Sequence, residues 1–136
     1  MSHPLIQQLF DDYHYPEIDL SGHDAFVNQE GVSVLFFAGD PKRFRDTTDV
    51  AVVLPELVKA FGGRLNPGVV ATADEQELQM RYGFKAWPTL VFMRTGGYLG
   101  AITGIQNWGD YLQEIQVLLT APARRPPAFK VPVVSG

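Results

Sequence analysis

Val32-Ser33-Val34-Leu35-Phe36-Phe37-Ala38, running straight into Gly39-Asp40-Pro41, is the stretch on which the fold turns. A short, nearly continuous apolar run rich in Val and Phe is the pattern of a strand buried on both faces in the middle of a sheet. The segment from Gly39 to Thr48 holds Asp40, Lys42, Arg43, Arg45 and Asp46, with Asp49 just beyond, and reads as a polar loop leaving the carboxyl end of that strand. Loops in that position are favoured places for binding groups.

Working outward, Val50, Val53, Leu54, Leu57, Val58 and Phe61 mark one face of a helix that carries Pro55 inside it and stops at Gly62-Gly63. The interior proline is expected to kink it. Val69-Val70-Ala71 follows as a strand after an Asn66-Pro67-Gly68 turn. Thr72 and Glu75 form a capping-box pattern for a helix through Arg81, with Gly83 as its left-handed stop. Thr89-Leu90-Val91-Phe92-Met93 is strongly strand-prone, and Gly96-Gly97 turns it into Tyr98 to Thr103 as an antiparallel hairpin. Asn107 caps a closing helix expected to bury Trp108, Tyr111, Leu112, Ile115, Leu118 and Leu119.

Upstream, Leu5, Ile6, Leu9, Phe10 and Tyr13 recur at helical spacing after Pro4, and Ser21 to Asn28 forms a second short helix with Ser21 as its cap. With a short strand around Tyr15 to Asp19, the elements after the leading helix run αβαβαββα: two crossover units and then a hairpin. The organisation is one domain over residues 1–120 and a tail over 121–136. That tail has four of the ten prolines, three bases and no acid, and is expected to be extended or disordered.

A chain of 136 residues can bury a core without disulfides or a structural metal. It contains no cysteine, which excludes thiol exchange, thiolate metal sites and cysteine nucleophiles. No basic and apolar leader opens the chain, and no apolar run approaches the roughly 18 residues of a spanning helix, so a cytoplasmic protein without membrane insertion is expected. Net charge is −4, but without the tail 15 acids face 8 bases. Such a field disfavours nucleic acid and favours basic partners, and it also serves solubility.

The element order, together with Val34-Leu35-Phe36-Phe37-Ala38, Pro55, Tyr82-Gly83-Phe84 and Trp87-Pro88-Thr89, resembles the thioredoxin family over about Asp24 to Leu119. The resemblance implies an α/β, thioredoxin-like three-layer fold with a mixed central sheet flanked by helices. It also implies a cis peptide bond at Pro88 and a shallow, peptide-accepting groove between that proline and the loop after the central strand. The departure is equally plain, because the family's paired-cysteine motif is replaced by Gly39 to Thr48.

More narrowly, Ser33 to Pro41, Asp49 to Leu57 and Gly83 to Leu90 resemble the hydrogenase expression and formation proteins encoded with uptake nickel-iron hydrogenases, which are thioredoxin-like and lack the cysteine pair. That resemblance implies a non-catalytic accessory chaperone whose partner is the hydrogenase small-subunit precursor, engaged at its twin-arginine signal peptide, alongside other maturation proteins. No cofactor is implied.

The residues expected to hold a peptide are Trp87, Pro88, Ala86, Asp40 and Phe44. Trp87 has an alternative role packed in the body, since large aromatics are often buried for packing alone. Asp40, Asp46 and Asp49 are able to bind guanidinium, but Lys42, Arg43 and Arg45 among them favour pairing within the loop. His3, His14 and His23 have no partner at metal or triad spacing, and Asp74-Glu75 reads as a pair of solvated carboxylates. Two rival readings stand beside the chaperone: a homodimerising structural module using the leading helix or the hairpin, and a cysteine-independent enzyme acting through Asp40 or Thr47.

Overall fold

In the computed structural model, which describes residues 3–127, every residue of the Val32 run is buried, as a two-faced central strand requires. Val34 and Phe36 point into one core cluster, Leu35 and Phe37 into the other, and all four are fully buried. The elements are α1 (Pro4–Asp11), β1 (Glu17–Ile18), α2 (Leu20–Asn28), β2 (Val32–Phe37), α3 (Thr47–Ala60), β3 (Leu65–Val70), α4 (Glu75–Tyr82), β4 (Thr89–Arg94), β5 (Gly97–Thr103) and α5 (Trp108–Thr120). The sheet order is β1-β3-β2-β4-β5, parallel among β1, β3 and β2 and antiparallel from β2 through β4 to β5. β2 is therefore the central strand, as its composition requires.

Helices α1, α3 and α5 cover one face with Leu9, Leu54, Leu57, Tyr111 and Ile115. Helices α2 and α4 cover the other with Val27, Leu78 and Tyr82. This is the three-layer thioredoxin-like arrangement with a mixed sheet. Each fully buried aliphatic or aromatic side chain contributes roughly 1.5–3 kcal/mol, so two such clusters hold the fold without cross-links.

Several local expectations are corrected. Asn66-Pro67-Gly68 is not a turn: β3 runs through it, with Val34 opposite Pro67 and Leu35 opposite Gly68. β1 pairs with β3 only at Val69 and Val70, so at Pro67 the strand has a neighbour on one side, where a missing N–H is tolerated. Gly68 serves close approach, since a Cβ there would sit 2.8 Å from Ile18 Cγ1 and 2.9 Å from Phe26 Cζ.

Asp19, not Ser21, caps α2 by accepting the Gly22 N–H at 2.7 Å, while the Ser21 hydroxyl donates to the same carboxylate. Trp108 is 44% exposed. Side chains on a helix lean toward its N-terminus, so that of the first residue of α5 reaches past the helix start instead of over the sheet. The left-handed stop at Gly83 (φ 70°), the Asn107 cap and the hairpin all form as read from the sequence.

Past α5 the chain lies along β5. The Arg124 N–H donates to the Tyr98 carbonyl at 2.8 Å, and the Arg94 guanidinium donates to the carbonyls of Leu119 and Ala121. The rest of the tail, 128–136, falls outside the described residues. The leading helix, one surface invoked for dimerisation, turns Ile6 and Leu9 inward into the core it shares with α3.

Candidate functional site

Where β2 ends, the backbone turns at Gly39 (φ 73°) into the polar loop. A Cβ at Gly39 would lie 2.8 Å from Phe44 Cδ2 and 3.1 Å from Trp87 Cβ, so a glycine there lets the loop fold Phe44 back toward Trp87. The loop is shaped by main-chain bonds: the Asp40 carbonyl accepts from the N–H groups of Arg43 and Phe44, and Asp40 Oδ1 accepts from the Lys42 N–H. The expected ion pairs within the loop do not form. Among the described residues the ion pairs are His23–Asp24, Lys59–Glu56 and Arg81–Asp24.

Across from this loop, the Trp87–Pro88 peptide bond is cis. Of the five residues expected to hold a peptide, Trp87, Asp40 and Phe44 line one groove of about 280 Å³. Ala86 is exposed beside it, with its carbonyl accepting from Thr89 Oγ1 at 2.8 Å. Pro88 is buried and its carbonyl accepts from the Gly104 N–H at 2.8 Å, so it shapes the wall instead of presenting a contact surface.

Trp87 is packed into the body on one side and open to the groove on the other. Half-buried, it packs edge-on against Phe84 at 5.2 Å and near Phe37 at 6.0 Å, and it faces Phe44 across 6.3 Å on the groove side. Its own main-chain N–H and C=O take part in none of the hydrogen bonds formed among the described residues.

Thr47 is unsuited to catalysis. It is fully buried, and its hydroxyl donates to the Ala38 carbonyl at 2.6 Å.

The residue that sequence reasoning misplaced is Glu75. Instead of completing a capping box with Thr72, which opens a 3-10 turn, Glu75 turns inward and its Oε2 accepts the Gly39 N–H at 3.0 Å. It is 6% exposed, and burial pushes its carboxyl up from the ordinary range to about 7 in spite of the Gly39 bond, which acts in the opposite direction. Its neighbour Asp74 accepts the Leu20 N–H at 2.9 Å. Adjacency in sequence thus hid two different tasks.

His23 lies outside this groove. It is buried where α2 packs against α4, between the Asp24 carboxylate at 2.8 Å and the Tyr82 hydroxyl. Burial holds that hydroxyl above its ordinary range, so the phenol keeps its proton, and the arrangement serves as a satisfied core network. A larger groove, about 540 Å³, lies away from Pro88 between Arg81, Tyr98 and the tail residues Arg124 and Arg125.

The groove beside Trp87 combines an open main-chain segment, two aromatic faces and a buried carboxyl, an arrangement suited to gripping an extended chain. A family model for "Hydrogenase-1 expression protein HyaE" matches residues 5–111. A hydrogenase expression/formation protein HoxO of Azotobacter vinelandii is 49% identical over 135 residues, which cover 99% of this chain and 89% of that one. HupG of Bradyrhizobium diazoefficiens, also a hydrogenase expression/formation protein, is 43% identical over 87% of this chain and 82% of its own. The crystal structure of a hydrogenase expression/formation protein hupG from Rhodopseudomonas palustris is 40% identical and superposes with a TM-score of 0.56, covering 76% of this chain and 94% of that chain. With the family model spanning most of its length and relatives at this identity, this chain belongs to the HyaE family of hydrogenase expression proteins.

Proposed function

We propose that this chain is a non-catalytic accessory chaperone of nickel-iron hydrogenase maturation, which holds the small-subunit precursor in the cytoplasm by docking its twin-arginine signal peptide beside the Trp87–Pro88 junction. The observation that carries the reading is the unengaged main chain of Trp87 next to an open groove. A polar backbone pair left without partners at such a place is a template for adding one extended segment, with main-chain bonds giving affinity and flanking pockets giving selectivity.

The absence of cysteine supports docking over thiol chemistry, and the names of the relatives place them in hydrogenase expression and formation. A signal peptide brings a basic front and an apolar body. The acidic globule speeds the encounter with the first, and Trp87, Phe44 and the exposed Ala86 supply apolar contact to the second.

The test is a pull-down with this protein against the small-subunit precursor, with and without its signal peptide. Retention of the precursor alone is expected. Equal retention of the form lacking the signal peptide moves the contact to the folded subunit, and capture of neither form ends the chaperone reading.

A further inference from the structure

Glu75 is a carboxylate driven into the protein with no cation to meet it. It is 6% exposed, one oxygen is held by the Gly39 N–H at 3.0 Å, and no Lys, Arg or His nitrogen among the described residues lies within ion-pair distance. An ionised carboxylate so placed is costly unless a partner arrives.

Glu75 lines the groove together with Asp40, Phe44 and Trp87. The aromatic wall already accommodates a cation, because the guanidinium of Arg43 lies over the Phe44 ring at 5.3 Å. At about 280 Å³ the groove is smaller than most small-molecule pockets, roughly 300–1,000 Å³, and suits a single side chain.

We infer that this groove is a subsite for one guanidinium group, an arginine side chain of the docked peptide, with Glu75 as its anchoring carboxylate, Asp40 at the rim, and Phe44 and Trp87 as its stacking platform. The inference rests on the peptide-docking reading above and names what that groove selects. Arginine fits better than lysine because a planar guanidinium both forks onto a carboxylate and stacks on a ring, whereas an ammonium does neither well.

The charged groups facing Glu75 are Asp40 and Arg43 from the loop and Glu17 of β1 across a small cavity of about 60 Å³, while Asp74, beside it in the chain, is turned to the Leu20 N–H. The two acids reinforce attraction of a cation. Arg43 is the competitor, parked on Phe44 and displaced when a ligand enters.

The test uses the full chain carrying Trp108→Phe, which removes the exposed indole of α5 and leaves Trp87 as the only tryptophan. N-acetyl-arginine amide is titrated against Trp87 emission, with N-acetyl-citrulline amide as the uncharged isostere. Arginine is expected to give a saturable change at pH 8 and citrulline none. Since Glu75 must be ionised to bind, affinity should fall about tenfold at pH 6.

Glu75→Gln keeps an acceptor for the Gly39 N–H, so the variant folds, and it should abolish the response. Arg43→Ala should strengthen binding several-fold. An equal response to citrulline, or a titration unchanged by Glu75→Gln or flat to the solubility limit, overturns the subsite. In the pull-down, a precursor whose signal-peptide arginines are all citrulline, retained as well as the parent, removes the guanidinium subsite and leaves peptide docking standing. Loss of precursor binding with an intact arginine titration does the reverse.

Discussion

Thr47 Oγ1 donates to the Ala38 carbonyl at 2.6 Å, tying the first turn of α3 to the residue that ends the central apolar run. The bond closes the polar loop at its base, so Asp40 and Phe44 are presented from a fixed frame. Thr47 is fully buried, and the carbonyl it satisfies has no alternative access to water through that side chain.

Thr47→Val keeps the shape and deletes the donor. Leaving a buried carbonyl unsatisfied costs about 1–3 kcal/mol, so urea unfolding should move to a lower midpoint with an unchanged slope. A midpoint within error of the parent would show that the loop is closed by other contacts.

Gly39→Ala puts a methyl where Phe44 and the Trp87 side chain already stand, at a residue with φ 73°. Both effects act in one direction, and a loss of about 1–3 kcal/mol is expected. Phe44 must also withdraw, so Trp87 fluorescence should change along with stability; an unaltered spectrum in a stable variant contradicts the close approach.

Glu75 sets a pH dependence of stability. Its carboxyl titrates near 7 in the fold and in the ordinary range, 4.5, when unfolded, so between those values the native state binds the extra proton. Stability is therefore full below about 4.5, falls as pH rises toward 7 and levels off beyond it, by at most roughly 3 kcal/mol. Denaturation midpoints at pH 4.5, 6 and 8 should show this slope in the parent and lose it in Glu75→Gln. A parent slope of the opposite sign would mean that the carboxyl is ionised at low pH in the fold.

Trp87→Ala should weaken capture of the signal peptide by about 2 kcal/mol, the scale of an interface hot spot, read by calorimetry. Salt should slow association more than it speeds dissociation, because the acidic globule acts at long range. Unchanged affinity removes Trp87 from the contact, and a flat association rate dismisses steering.

Gly83→Ala tests the tail. Besides its left-handed backbone (φ 70°), Gly83 lies directly under the Pro127 carbonyl, leaving no room for a Cβ. The substitution should cost about 1–2 kcal/mol and lift the tail from β5, speeding tryptic cleavage of the Arg124–Arg125 bond. Unaltered cleavage kinetics would mean that the tail is held by the Tyr98 and Arg94 bonds alone.

Signals carried within one short stretch were legible. The Val32 run, the Gly96-Gly97 hairpin, the Asn107 cap and the Gly83 stop depend on a residue's own backbone preferences or on side-chain periodicity, and each element formed where those preferences placed it. Signals that depend on a distant neighbour were not. Asn66-Pro67-Gly68 has the composition of a turn, yet Ile18 and Phe26 press on Gly68 and the segment pairs with β2. Trp108 has the spacing of a core residue but lies at the helix start.

The site divides in the same way. Asp40, Phe44 and Trp87 were identifiable because a loop after a central strand and a Trp-Pro-Thr entry are local patterns, whereas Glu75 was read as solvated because nothing in its own neighbourhood states that it will be buried.

By itself, then, the sequence determined that no thiol chemistry is possible, that a nearly continuous apolar strand forms the centre of the sheet, and that a hairpin follows Pro88; that this proline faces the loop leaving the central strand came from the family resemblance. The tertiary structure alone decided that a carboxylate 36 residues beyond Gly39 bonds to its N–H and is buried beside two aromatic rings. The physical reason is that backbone propensity and hydrophobic period are properties of neighbouring residues, while desolvation of a charge is a property of everything the completed fold packs around it.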